Sequence, residues 1–212
     1  MIYLSQLTLN PSNRMAQRES HNPYQLHRTL MNGFGDNIKR EDANLLHRLE
    51  IHPHTGGMTL LAQSTVEPNW RALVDAGQGH YLLSPPKCKP IDLRLEDGRA
   101  LRFRLVANPT VKKVRRDENG KRRNSNRVPL VHEEKQIKWL YDKGELYGFK
   151  VINVGISQIR KQNVRKKDIT IYTVQFDGLL QITEAEKFIE AVQTGIGPAK
   201  AFGCGLLSLA PA

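Results

Sequence analysis

A phenol, an imidazole and a guanidinium stand close together early in this chain, at Tyr24, His27 and Arg28. On a helix, residues at i, i+3 and i+4 share one face, so the three side chains would be presented together. An imidazole exchanges a proton near neutral pH. A phenol can hydrogen-bond or orient a neighbouring group, and a guanidinium pairs with a phosphate through its planar fork. A helix N-terminus adds free backbone N–H groups and partial positive charge, which also suit a phosphate. The chemistry this set suggests is proton transfer beside a phosphate. The plainer reading is a histidine satisfied at the boundary of an amphipathic helix.

The helix itself is legible. Asn22 can cap through its side-chain oxygen, and Pro23 suits the first helical position, where its missing N–H costs nothing. Leu26, Leu30 and Phe34 form an adjacent apolar stripe, and Gly33 or Gly35 can end the helix. Before it, Ile2–Leu9 alternates as a strand and 10–22 is polar, holds Arg14 and Arg18, and reads as a loop. After it, 45–52 and 58–65 read as a hairpin turned by Pro53-His54-Thr55-Gly56-Gly57, 70–76 as a short helix, and a last strand is expected from 79–83 towards Lys89. That order is βαββαβ, the ferredoxin-like pattern. The stiff stretch Pro85-Pro86-Lys87-Cys88-Lys89-Pro90 marks the domain boundary, giving units 1–88 and 91–212.

The second unit repeats the order, with a strand over 100–107, a helix over 133–143, strands over 149–154 and 169–176 extended by 179–182, a helix over 184–194 and a closing strand over 203–209. The fold class expected is α+β, two tandem ferredoxin-like domains. The chain has 212 residues and 39% hydrophobic content, enough for two such cores.

Net charge is +11 and the sequence pI is about 9.8, which favours a polyanionic partner, nucleic acid first and an acidic membrane surface second. No apolar run is long enough to span a bilayer, and the first residues lack the basic and apolar regions of a signal peptide. Cys88 and Cys204 form no CxxC pair, so neither a disulfide framework nor a zinc site is suggested, and a reducing cytoplasm fits.

Three further segments bear on a polyanion. Residues 112–127 hold eight basic residues, among them Lys112, Lys113, Arg115 and Arg116, against two acidic ones. Lys and Arg gain affinity for phosphates by releasing counterions; the alternative is a solvated loop. A second cluster, Arg160, Lys161, Arg165, Lys166 and Lys167, falls in a hairpin connection that could lie against a duplex backbone. The third, Gly195-Ile196-Gly197-Pro198-Ala199-Lys200-Ala201-Phe202-Gly203-Cys204-Gly205, follows a helix and precedes a strand. Its glycines permit close backbone approach to a ligand, with Gly197 and Lys200 the candidate contacts, although the Lys-Ser/Thr pair of a P-loop is missing. His52-Pro53-His54 has no acidic or Cys partner nearby, and the acidic residues form no paired-carboxylate cluster of the kind two-metal nucleases use. No metal or other cofactor is expected.

If the chain cleaves phosphodiesters, a metal-free route is favoured. RNA supplies its own nucleophile, the 2′-OH beside the scissile phosphorus, and needs alignment, proton transfer and charge stabilisation. The products would be a 2′,3′-cyclic phosphate and a 5′-OH.

The runs NPYQLHRTL, RFRLVANP and GIGPAKAFGCGLLSLAP, at their joint spacing, resemble the CasE family, the CRISPR RNA-processing endoribonucleases of the Cascade (type I-E) system within the repeat-associated mysterious protein superfamily. The resemblance implies tandem ferredoxin-like domains, binding of a CRISPR repeat hairpin and metal-independent cleavage at its 3′ base. It implies Tyr24 and His27 as the catalytic pair, and Lys112, Lys113 and the 160–167 cluster as RNA contacts. It also implies retention as a subunit beside other Cascade proteins; the free protein is expected to be a monomer.

Overall fold

The computed structural model describes residues 1–212 except 36, 75–79, 113, 114, 117, 119, 121, 124–126 and 165–168. Two four-stranded antiparallel sheets carry the fold. In the first half β1 (Ile2–Leu9) is followed by α1 (Arg14–Ser20), α2 (Pro23–Met31), α3 (Arg40–Ala43), β2 (Leu46–Ile51), β3 (Met58–Ser64), α4 (Arg71–Val74) and β4 (Lys87–Ile91). Its strand order is β2-β3-β1-β4. In the second, β5 (Ala100–Ala107) leads through the short strands β6 (Thr110–Lys112), β7 (Arg115–Arg116), β8 (Arg122–Arg123) and β9 (Arg127–Pro129) to α5 (Glu133–Tyr147), β10 (Phe149–Val164), β11 (Ile169–Ile182), α6 (Ala185–Thr194) and β12 (Leu207–Pro211). Its order is β10-β11-β5-β12, the same arrangement of first, second, third and fourth strands. Both halves are therefore ferredoxin-like, as expected.

α2 forms as its sequence predicts. The Asn22 side chain accepts from the Gln25 N–H at 3.2 Å, and Pro23 opens the helix. Leu26 and Leu30 are fully buried in the first core with Leu7, Leu60 and Tyr81, each such leucine worth about 1.5–3 kcal/mol of burial. The second core gathers Leu105, Leu140, Val174, Phe176, Leu180 and Phe188 between the other sheet and its helices.

Some expected elements differ. Residues 10–22, read as a loop, contain α1, whose start is capped by Asn13 accepting from the Met15 and Ala16 N–H groups at 2.9 and 3.1 Å. It escapes a periodicity search because it has only seven residues and buries only Ala16 and Glu19. The Pro-rich stretch is no free linker, since Lys87–Ile91 is the edge strand β4, paired with β1. Pro90 is tolerated because an edge strand has an unpaired side. The described residues of the basic segment, read as a loop, include short strands, with β6 paired to β9 and β7 to β8. The strand 149–154 runs ten residues further, so Arg160 and Lys161 lie within β10.

The halves meet where α6 ends. The last carbonyls of a helix lack intrahelical partners. Here the buried Gln63 amide donates to the Val192 carbonyl at 2.7 Å, the Asn44 amide donates to the Gln193 carbonyl at 2.9 Å, and the Lys200 ammonium donates to the Thr194 carbonyl. Side chains of the first half thus cap a helix of the second.

Candidate active site

The face expected to carry Tyr24, His27 and Arg28 is divided in the structure. Arg28 is exposed, Tyr24 is half-buried and His27 is only 3% exposed. The cause is tertiary. The short turn Lys200–Phe202 from the second half packs on α2, and the Phe202 ring stacks on Tyr24, with centroids 5.6 Å apart and planes 28° from parallel. Below it, the His27 ring lies 5.5 Å from that of His47 at an interplanar angle of 28°.

His47 was not singled out by sequence. It sits on β2, where Leu46, His47 and Arg48 are buried in succession. Such a run means both faces of the strand are covered. Leu46 meets Gly195 and Arg48 reaches Ser208 on one side, while His47 turns towards α2. Burial drives the His47 pKa down to about 3, the charge of His27 acts the same way, and the Pro23 carbonyl opposes them. His47 is neutral at physiological pH.

The Gly-rich run docks here. Gly203 has φ +79°, and a Cβ added there would lie 3.8 Å from His47 Nε2. Gly195 has φ +82° and faces the Leu46 methyls, where a Cβ would come within 2.7 Å. Gly197, with φ +83°, lies against the Trp139 ring, and Lys200 is turned inward as the α6 cap. Ala199 and Gly203 bracket the Lys200–Phe202 turn in left-handed backbone.

Beside these rings a cleft of about 480 Å³ opens between the halves, bordered by His47, Phe202, Gly203, Arg104 and Asp177. Its charges are internally matched. Arg48 Nε donates to Glu50 Oε1 at 2.9 Å and Arg104 Nε to Asp177 Oδ1 at 2.6 Å, while Arg104 Nη1 stands 3.5 Å from Glu50 Oε1. Ser157 and Gln175 each donate to Asp177 Oδ2 at 2.8 Å. Burial alone would raise the Asp177 pKa, but the Gln175, Arg104 and Ser157 donors prevail and hold it below the ordinary carboxylate value. Burial lowers the Arg48 pKa, with Glu50 opposing.

Positive charge gathers at one end of β5. Ala107 pairs with Val174, Leu105 pairs with Leu207, and the Gly205 N–H donates to the Val106 carbonyl at 2.8 Å. Beyond Ala107 the chain enters the 110–129 ribbon. On the N-terminal side of Val174, strand β11 has no β5 partner and pairs with β10 alone from Ile169 to Thr173. Both basic ribbons and the Gly-rich run therefore leave the second sheet at the same end. Lys112 is exposed on β6, and exposed Lys161 holds its ammonium 5.8 Å from the Tyr172 ring centroid. Arg115, Arg116 and Arg160 are placed by their backbones in β7 and β10. Lys113, Arg165, Lys166 and Lys167 lie outside the described residues. Among the described residues, no three His, Cys, Asp or Glu side chains are grouped to hold a metal, and no helix is long and apolar enough to cross a membrane.

Comparison with known proteins gives a consistent result. The chain is 34% identical to the CRISPR-associated endoribonuclease Cse3 of Thermus thermophilus, over 99% of this chain and 100% of that one. It is 35% identical, at the same coverage, to the CRISPR system Cascade subunit CasE of Escherichia coli. Its fold matches Thermus thermophilus Cse3 bound to an RNA representing a pre-cleavage complex with a TM-score of 0.85 at 34% identity, covering 99% of each chain. It matches the CRISPR-associated protein Cas6e from Escherichia coli with a TM-score of 0.72 at 33% identity, covering 99% of this chain and 100% of that one. Residues 2–211 match the family described as CRISPR associated protein. The chain thus belongs to the CRISPR-associated protein family that includes Cse3 and CasE.

Proposed function

We propose that this protein is an endoribonuclease that binds the stem-loop of a CRISPR repeat and cleaves the precursor RNA at the 3′ base of the hairpin, without a metal. It acts as a monomer when free and then stays on its product as a subunit of Cascade. The convergence at one end of β5 of two basic ribbons and the Gly-rich run that covers Tyr24 carries the reading. The 34% identity to an endoribonuclease over the full length supports it. Residues 1–88 supply the catalytic helix and residues 91–212 most of the RNA-binding charge.

In this reading the 2′-OH attacks the adjacent phosphorus and the 5′-oxygen leaves. His27 exchanges the proton, Tyr24 positions the ribose or stabilises the phosphate, and Arg28 contacts a phosphate. Lys112, Lys113, Arg115, Arg116 and the 160–167 cluster hold the stem, and the backbone at Gly197 with Lys200 borders the strand. His27 is only 3% exposed and Phe202 stacks on Tyr24, so this face must open for RNA to reach the imidazole.

That burial also favours a second reading, an RNA-binding scaffold whose His27 only packs the helix. Incubation with a repeat hairpin in EDTA separates the two. The enzyme yields a 2′,3′-cyclic phosphate and a 5′-OH; a scaffold leaves the RNA whole. A 2′-deoxy sugar at the cut site should allow binding and block cleavage. His27→Ala is expected to lower the cleavage rate by about 10²–10⁴-fold while hairpin affinity survives. A matching loss of affinity would make His27 structural.

A further inference from the structure

We propose that His47 is a positioning residue for the cleavage reaction, a flat platform that fixes the plane of the His27 imidazole. The inference deepens the endoribonuclease reading and rests on it. Four observations carry it. The His47 ring is 1% exposed and lies 5.5 Å from the His27 ring at 28°. It comes from β2, a strand hydrogen-bonded to β3 from Leu46 to Ile51, so its own position is set by the sheet and not by the helix it supports. It borders the same cleft as Gly203, the residue that ends the turn carrying the Phe202 stacked on Tyr24. Finally, two stacked imidazoles disfavour a shared positive charge. A partner that stays uncharged at physiological pH leaves proton exchange to His27 alone.

The physical consequence is an angular one. A general acid or base works only when its lone pair or N–H points at the reacting oxygen, and a small misplacement costs on the order of 10²-fold in rate. The His47 ring stacks on the buried His27 ring and so restrains the plane in which that imidazole lies.

The experiment uses the full chain, a repeat hairpin under single-turnover conditions and three proteins: wild type, His47→Ala and His47→Phe. Phenylalanine keeps a flat ring of similar size and carries no proton; alanine removes the ring. We expect His47→Ala to lose roughly 10- to 100-fold in the cleavage rate constant with hairpin Kd within about twofold, and His47→Phe to stay within about threefold of wild type in both. The His27 imidazole spectrum of the free proteins gives a second readout. A ring held in one plane gives one narrow set of signals, and His47→Ala should broaden it. Equal cleavage by His47→Ala and wild type overturns the proposal, as does a parallel loss of rate and affinity in both variants. So does an unchanged His27 spectrum in His47→Ala. A wild-type protein that leaves the hairpin whole removes the endoribonuclease reading itself, whereas failure confined to the variants removes only the role of His47.

Discussion

His47 links the chemistry of the site to the stability of the fold. Its pKa is about 3 in the folded protein against 6.5 for an unperturbed histidine, chiefly because the buried ring cannot be solvated once charged. Between those values the unfolded chain binds the proton and the folded chain does not. The stability His47 contributes is therefore complete above pH 6.5 and is lost as the pH falls towards 3. Urea unfolding at a series of pH values should show stability declining through that window in the wild type and a flatter profile in His47→Phe. Identical profiles would assign the acid sensitivity to other groups. Another buried cluster steadies the same helix from behind, where the Thr29 and Tyr81 hydroxyls both donate to the Glu19 carboxylate at 2.5 Å.

The two ribbons at the end of β5 are elements rich in Lys and Arg and poor in acidic residues to match them. If they hold RNA through phosphates, each phosphate bound releases condensed counterions, and the logarithm of affinity falls with the logarithm of salt by about 0.7–0.9 per phosphate. Replacing Arg115, Arg116, Arg122 and Arg123 together by alanine should weaken hairpin binding at low salt and flatten that slope by about 0.7–0.9 for each phosphate the variant no longer neutralises. The cleavage rate of saturated complex should change little. A slope equal to that of the wild type would place the 110–129 ribbon away from the RNA. The pairing in this ribbon was hidden in the sequence because its strands are two or three residues long and mostly polar, leaving no alternation to read. α2, by contrast, was visible from its cap, its proline and its leucines, each a local signal.

The two halves are joined where side chains of the first satisfy backbone carbonyls of the second. Gln63, on β3, is 3% exposed and donates to the Val192 carbonyl near the end of α6. Gln63→Leu keeps much of the volume and removes the donor, so the carbonyl is left buried without it. The expected cost is about 1–3 kcal/mol in urea unfolding, with looser docking of the Gly-rich run that follows α6. A variant as stable as the wild type would mean that the halves hold together without this bond.

The double ferredoxin-like plan, the cap and apolar face of α2 and the basic character of two segments were all determined by the sequence alone. Each depends on residues within a few positions of one another, where periodicity, capping and charge are read directly. The placement of His47 against His27, the cover of Phe202 over Tyr24, and the matched Arg48, Glu50, Arg104 and Asp177 network were decided by tertiary structure. They join residues from opposite halves of the chain or from strand and helix. Nothing local in the sequence records which faces β2 and α2 turn to each other, or that a loop near the far end of the chain returns to close over Tyr24.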